Sequence, residues 1–149
     1  MEQKTPMILA VDCGTQSMRA AVIDQKGNIL AMEKKVYDPP YVSERPYWAE
    51  READAYWEEL CMLTQQIRRT YPEYMKQVQG ITLTTQRDSV VVVDKAGNPL
   101  RKAILWMDQR KAKNKRKIVY PLEVGSRIIG MKDTVENFSR RCPAHWMME

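Results

Sequence analysis

"AVDCGTQSMRA", residues 10–20, joins two apolar runs through an acid and a tight polar turn. Every residue of 7–11, "MILAV", is apolar. With both alternating faces apolar, these residues read as a strand in the interior of a sheet. Asp12 ends the run, and Gly14, Thr15, Gln16 and Ser17 make a polar turn. Arg19 then opens "RAAVID", residues 19–24, a second strand. "QKGN", residues 25–28, supplies a turn with glycine where positive φ is needed. "ILAMEKKVY", residues 29–37, follows as a third strand. The chain therefore begins with a meander of three antiparallel strands.

A carboxylate at a strand end is costly unless solvated or paired. Hydrated Mg2+ suits Asp12, because that ion takes oxygen ligands and keeps several waters. The residues after it suit a phosphate. Gly14 permits close backbone approach, and Thr15, Gln16 and Ser17 add side-chain donors to their backbone N–H groups. Arg19 offers a charge-assisted, bidentate contact. The stretch is not a Walker A loop, since GxxxxGK[ST] is absent and no helix follows directly. The competing reading is a plain hairpin turn flanked by an acid.

Farther along, "DPPYVSERPYWAE", residues 38–50, has three prolines and reads as irregular. From Glu52 the period changes. Ala55, Leu60, Leu63 and Ile67 fall at helical spacing up to about Tyr71, where Pro72 stops the helix. Strands are expected at 78–86, 89–94 and 103–108, and helices at 109–120, at 124–131 and from Thr134, with Thr134 as its cap. "VIDQKGNIL" (22–30) and "VVDKAGNPL" (92–100) echo one another. Asp and Gly-Asn suit hairpin turns generally, so the echo reads as shared turn chemistry rather than duplication. Strands, a helix and strands again predict an α/β domain: a mixed sheet with flanking helices.

Composition narrows the function. At 149 residues, with 44% apolar and 29% charged residues, the chain reads as one soluble domain. No apolar stretch is long enough for a membrane span, and the N-terminus lacks a signal peptide, which reads as cytoplasmic. Cys13, Cys61 and Cys142 form no CxxC pair, and His145 is the only histidine. A zinc site, a disulfide framework and a Ser-His triad are thereby disfavoured. The net charge of +5 concentrates in "RKAKNKRK", residues 110–117, with six of the 24 Lys and Arg. That run reads as a solvated helix face. Nucleic-acid binding is the weaker reading, because no aromatic residue in the run offers a stacking platform.

The segment "ILAVDCGTQSMRAAVIDQKGNIL" resembles the start of the FGGY family of carbohydrate kinases. "YWAEREADAYW" resembles that family's segment before its first helix. "ITLTTQRDSVVVVDKAGNPLRKAILWMDQR" resembles its substrate-side segment, closing on W-x-D-x-R at Trp106, Asp108 and Arg110. D-x-G-T-x-S alone is shared with actin-like ATPases, whereas the three segments in order are specific. The resemblance implies a ribonuclease H-like, actin-like ATPase fold and ATP-dependent phosphoryl transfer to a sugar or polyol hydroxyl. By position, it implies that Asp12 orients Mg2+ through water and that Gly14, Thr15, Gln16, Ser17 and Arg19 face the ATP phosphates. It likewise sets Gln86, Arg87, Asp88, Trp106 and Asp108 on the substrate side, Trp106 packing against the carbon skeleton. Four of these residues have a structural alternative: Trp106 as core, Arg87 with Asp88 as a surface ion pair, Asp108 as a helix N-cap.

The resemblance also implies a catalytic aspartate and adenosine-binding segments downstream of residue 149. The chain is thus expected to be the incomplete N-terminal part of the first domain, without the second, C-terminal domain. Such a piece is expected to expose apolar surface, to self-associate as a homo-oligomer and to lack kinase activity by itself. Glycerol kinases carry Arg-Glu where this chain has Arg87-Asp88, and xylulose kinases usually carry Met-His. The shorter acid leaves room for a sugar larger than glycerol. A nucleotide-binding or regulatory module without catalysis is the alternative within the same fold.

Overall fold

A computed structural model describes residues 5–113, 124, 125, 127–131, 133–135 and 143–147. Its elements are β1 (Met7–Cys13), β2 (Ser17–Ile23), β3 (Ile29–Val36), β4 (Glu50–Arg51), α1 (Asp54–Thr70), α2 (Pro72–Met75), β5 (Val78–Thr85), β6 (Ala103–Ile104) and α3 (Pro143–Met147). Two compact units partition the chain. The first holds the described residues up to Val42 together with Glu50–Trp106. The second holds Ser43–Ala49 and the described residues from Met107 onward.

In the first unit the strand order is β3-β2-β1-β5. The meander β1–β2–β3 is antiparallel, and β5 returns parallel to β1 after α1. The sheet is therefore mixed, as the alternation of strands and helix predicts. Antiparallel pairing sets Leu9 beside Val22 and Val11 beside Ala20. These residues, with Met7, Met18 and Ala31, form one apolar face, and Leu63 and Ile67 of α1 pack into the same cluster. The helix arises because its apolar residues recur at three- and four-residue intervals. It begins at Asp54, whose charge suits the positive helix end.

The opposite face runs through Ile8, Ala10 and Asp12 of β1, which pair with Ile23, Ala21 and Arg19 of β2. Here the interior-strand reading holds for hydrogen bonding but not for burial. β1 lies between two strands, yet Ile8 is 44% exposed and Met32 on β3 is 51% exposed. Ile81 and Leu83 on β5 are also exposed. Ile81 and Leu83 pair with Leu9 and Val11 and so stand on the α1 side of the sheet, but α1 packs mainly on β2 and β3 and leaves the β5 edge exposed.

Several boundaries differ from the periodicity. Pro72 does not merely end α1: it occupies the first turn of α2, where its missing N–H is harmless. Residues 89–94 form only isolated bridges, Val90 with Ile104 and Val93 with Pro99. The strand expected at 103–108 shortens to Ala103–Ile104, paired with Glu50–Arg51. Residues 109–113 are not helical, because Asp108 turns the chain (below), and 114–120 lie outside the described residues. Residues 124, 125, 127 and 128 are helical, before a turn at Gly130 with φ +70°. Residues 133–135 are helical, so Thr134 sits inside that turn rather than capping it; 136–142, with Cys142, lie outside the described residues.

The two echoing turns share their chemistry. Asp24 Oδ1 accepts from the backbone N–H of Lys26 and Asn28, and its Oδ2 accepts from the Asn28 amide. Asp94 does the same with Ala96 and Asn98. In both, the third turn residue is a glycine at positive φ, Gly27 at 83° and Gly97 at 90°.

Candidate functional site

The polar turn between β1 and β2 is closed by Gly14 N–H donating to Ser17 O at 3.0 Å. A Cβ at position 14 would stand 3.1 Å from that same oxygen, so the turn leaves little room for any residue but glycine. Gln16 is exposed, and its carbonyl accepts from Tyr37 N–H at 2.9 Å. Ser17 is buried within β2. Asp12 and Arg19 face each other across β1 and β2, on the sheet face away from α1. Arg19 Nη1 donates to Asp12 Oδ2 at 3.0 Å, with the two side chains 41% and 48% exposed. One carboxylate oxygen therefore stays outside the pair. Among the described residues no group of three or more His, Cys, Asp or Glu gathers around a metal position. A half-exposed single carboxylate fits a hydrated Mg2+ that takes its remaining ligands from water and phosphate.

Thr15 lies at the centre of a longer-range contact. Its hydroxyl donates to Gln86 Oε1 at 2.8 Å and accepts from Trp106 Nε1–H at 2.9 Å. Gln86 follows β5, and its backbone N–H donates to Cys13 O at 3.0 Å, extending the parallel pairing by one bond. Its side-chain Nε2 donates to Tyr56 OH at 2.9 Å. Trp106 is held a second time, by its backbone N–H to Ser89 Oγ at 3.2 Å. The fold thus gathers Thr15, Gln86 and Trp106 from three distant segments. Trp106 is 54% exposed, so it is not core.

Arg87 and Asp88 are both exposed, and among the described residues no ion pair joins them. Asp88 has φ 61°, the left-handed region that Asp tolerates better than most residues. Asp108 belongs to the second unit and is used differently. Its Oδ1 accepts from Arg110 N–H and Nε–H, and its Oδ2 accepts from Ala49 N–H and Arg110 Nη2. The two side chains are 1% and 3% exposed, and the Arg110 guanidinium lies 3.8 Å from the Trp48 ring centroid. These four contacts fill the carboxylate's acceptor positions. The contact to Arg110 N–H closes a local turn, which is why no helix starts there. In the basic run, residues 114–117 lie outside the described residues.

Tyr56 is a participant that sequence reasoning missed. It lies in α1 in the middle of "ADAYW", where its periodicity only marks a helix face. Arg51, bonded through Nη2 to both Glu59 oxygens at 2.7 Å, has its guanidinium 5.0 Å from the Tyr56 ring centroid and 3.7 Å from that of Tyr37. Burial pushes the Tyr56 phenol above its ordinary value, with the Gln86 hydrogen bond and the Arg51 charge opposing it. Burial likewise raises the Cys13 thiol and, more strongly, the Tyr37 phenol, which touch at 3.9 Å. Cys13 and Cys61 are free thiols.

The profile of the FGGY family of carbohydrate kinases, N-terminal domain, matches residues 7–126. The chain belongs to the FGGY family. Glycerol kinase from Listeria welshimeri is 32% identical over 111 residues, covering 74% of this chain and 22% of that protein. Glycerol kinase from Thermococcus onnurineus is 36% identical over 106 residues, covering 70% and 21%. Among solved structures, a xylulose kinase from Brucella ovis superposes with a TM-score of 0.64 at 28% identity, covering 70% of this chain and 22% of that one. Plasmodium falciparum glycerol kinase with ADP gives 0.64 at 27%, covering 71% and 21%. The α/β fold is accordingly that of the FGGY sugar kinases, of the actin-like ATPase type. The chain spans about a fifth of the length of these FGGY relatives. Among the described residues no helix is long and apolar enough to cross a membrane.

Proposed function

We propose that this FGGY chain supplies the phosphate- and sugar-facing wall of an ATP-dependent carbohydrate kinase. The reaction is transfer of the ATP γ-phosphate to a sugar or polyol hydroxyl. The observation that carries this reading is the meeting of Thr15 from the polar turn with Gln86 and Trp106 from the substrate-side segment, inside the matched family span. Asp12 holds hydrated Mg2+ through its free oxygen. The metal neutralises phosphate charge, which is most of what phosphoryl transfer asks of a protein. Gly14, Thr15 and Gln16 present the turn to phosphate, and Arg19 leaves Asp12 to pair with it. Ser17 contributes through its backbone, since its side chain is buried.

On the sugar side, Arg87 and Asp88 are exposed and unpaired with each other, so they can bond hydroxyls. The exposed Trp106 ring covers a C–H face of the sugar. Gln86 stands behind them, its amide committed to Thr15 and Tyr56. Asp108 contributes by holding Arg110 and Ala49, not by reaching the sugar. Asp88 is shorter than the glutamate of glycerol kinases and admits a pentose or hexose in preference to glycerol.

The chain stands for the N-terminal part of the first kinase domain; the catalytic base belongs downstream of it, close to the domain junction, and the adenosine site to the second domain. It acts in the cytoplasm and needs no nucleic acid partner. The test is calorimetric titration of the 149-residue chain with Mg·ATP, then a sugar panel with the same chain joined to the remainder of an FGGY kinase, the rest of the first domain and the second domain. Mg-dependent nucleotide binding by the chain and sugar-dependent ADP release only by the joined protein are expected. Binding without turnover in both would favour a regulatory nucleotide-binding module. Absence of Mg-dependent nucleotide binding would overturn the reading.

A further inference from the structure

The Thr15 hydroxyl touches both the turn and the sugar-facing indole, and it has a single proton. Trp106 Nε1–H can only donate, and it donates to Thr15 Oγ1. The Thr15 proton therefore goes to its other neighbour, Gln86 Oε1. With Oε1 accepting, the Gln86 amide presents Nε2–H to Tyr56 OH. The indole at one end fixes the direction of each bond. Tyr56 is anchored in turn beside the Arg51–Glu59 pair, whose side chains are 8% and 12% exposed. Trp106 itself is more than half exposed, so this contact and its Ser89 bond do much of the work of orienting it.

We propose that Tyr56, Gln86, Thr15 and Trp106 form a hydrogen-bond relay that makes the orientation of the Trp106 indole depend on phosphate in the turn. This rests on the nucleotide reading above. A phosphate oxygen only accepts. To bond one, Thr15 must turn its proton away from Gln86. Gln86 Oε1 then loses its donor in half-buried surroundings, and the amide must re-pair. Turning the proton also swings the Oγ1 lone pairs that receive the indole N–H, so the indole must shift to keep its acceptor and the ring is re-aimed. Nucleotide thereby sets the sugar-facing wall, and by reciprocity sugar against Trp106 changes nucleotide affinity. Tyr56 and Gln86 are positioning residues, acting through Thr15 and Trp106.

The experiment is 15N–1H correlation NMR of the 149-residue chain, with the Trp106 indole peak assigned through Trp106→Phe and Mg·ADP as the titrant. The indole peak is expected to move with the same midpoint as the Gly14 and Ser17 amides. Without nucleotide, Gln86→Met and Tyr56→Phe are expected to speed indole hydrogen exchange about three- to tenfold, the loss of roughly one hydrogen bond. Thr15→Ser should keep the wild-type response and Thr15→Val should abolish it. Gln86→Met carries the test if Tyr56→Phe unfolds the chain. Movement of Gly14 and Ser17 with a stationary indole peak overturns the relay and leaves the nucleotide reading intact. Unchanged indole exchange in Gln86→Met overturns it also. If neither turn amide moves at saturating Mg·ADP, the nucleotide reading fails, and the coupling with it.

Discussion

Removing the Asp108 carboxylate is the sharpest test of its structural role. Asp108 is 1% exposed and meets an Arg110 that is 3% exposed. It receives Arg110 Nε at 2.8 Å and Nη2 at 2.6 Å, along with the Ala49 N–H at 2.7 Å and the Arg110 N–H at 2.9 Å. Asp108→Ala removes the acceptor of two bonds from a buried guanidinium that lies 3.8 and 4.7 Å from the Trp48 and Trp146 ring centroids, and strips two backbone donors of their acceptor. Breaking one side of a buried pair costs about 3–5 kcal/mol. Each orphaned donor costs about 1–3 kcal/mol, part of which that figure already contains. The expected loss is therefore about 4 kcal/mol, a large share of the roughly 5–15 kcal/mol that stabilises a domain. Asp108→Asn keeps acceptor capacity and should lose about half as much. Arg110→Met combined with Asp108→Ala should recover part of the loss, because replacing both partners is far milder than removing one. Urea unfolding followed by tryptophan emission measures all of these, since Trp48 and Trp146 flank the guanidinium. A loss under about 1 kcal/mol for Asp108→Ala, the range of a solvated pair, would refute the reasoning. So would Asp108→Asn abolishing sugar binding at unchanged stability in the joined kinase.

Three further outcomes are expected. Asp12→Asn should change stability by less than about 1 kcal/mol, because its pair with Arg19 is half exposed, yet weaken Mg·ATP binding at least about tenfold by calorimetry. Stability should fall as pH rises past the ordinary thiol and phenol values of 9.0 and 10.0, since the folded chain keeps the Cys13 and Tyr37 protons that the unfolded chain releases. Urea midpoints across that range should show a shallower fall in Tyr37→Phe; an unchanged slope would dismiss this account. The exposed Ile81 and Leu83 lie on β5, which among the described residues is an edge strand and whose sequence "VQGITLTT" carries no charge or proline. Such an edge invites pairing, so sedimentation should show self-association that Leu83→Lys reduces.

Much of the architecture is legible in local patterning. Apolar runs of period two and Gly-containing turns define β1 to β3, and three- and four-residue spacing defines α1. The Asp24 and Asp94 turns match because each sequence carries Asp, Gly and Asn at the same intervals. These features depend on neighbours a few residues apart, which a linear reading sees. Residues 89–94 show the limit: four consecutive valines favour extended backbone, but a strand needs a partner edge, and only isolated bridges form.

The sequence by itself determined the family, the strand–turn–strand that carries Asp12, Gly14 and Thr15, and the chemical types proposed here to face phosphate and sugar. Tertiary structure decided how those side chains are used. It paired Asp12 with Arg19 through strand register, and buried Ser17 through its place in β2. It also filled the Asp108 carboxylate with donors from Arg110 and Ala49. Tyr56 and Gln86 became neighbours only because α1 packs on the meander and β5 runs parallel to β1. Hydrogen bonding is directional and short in range, so a residue type announces what it can bond, and only the fold fixes which partner comes within 3 Å.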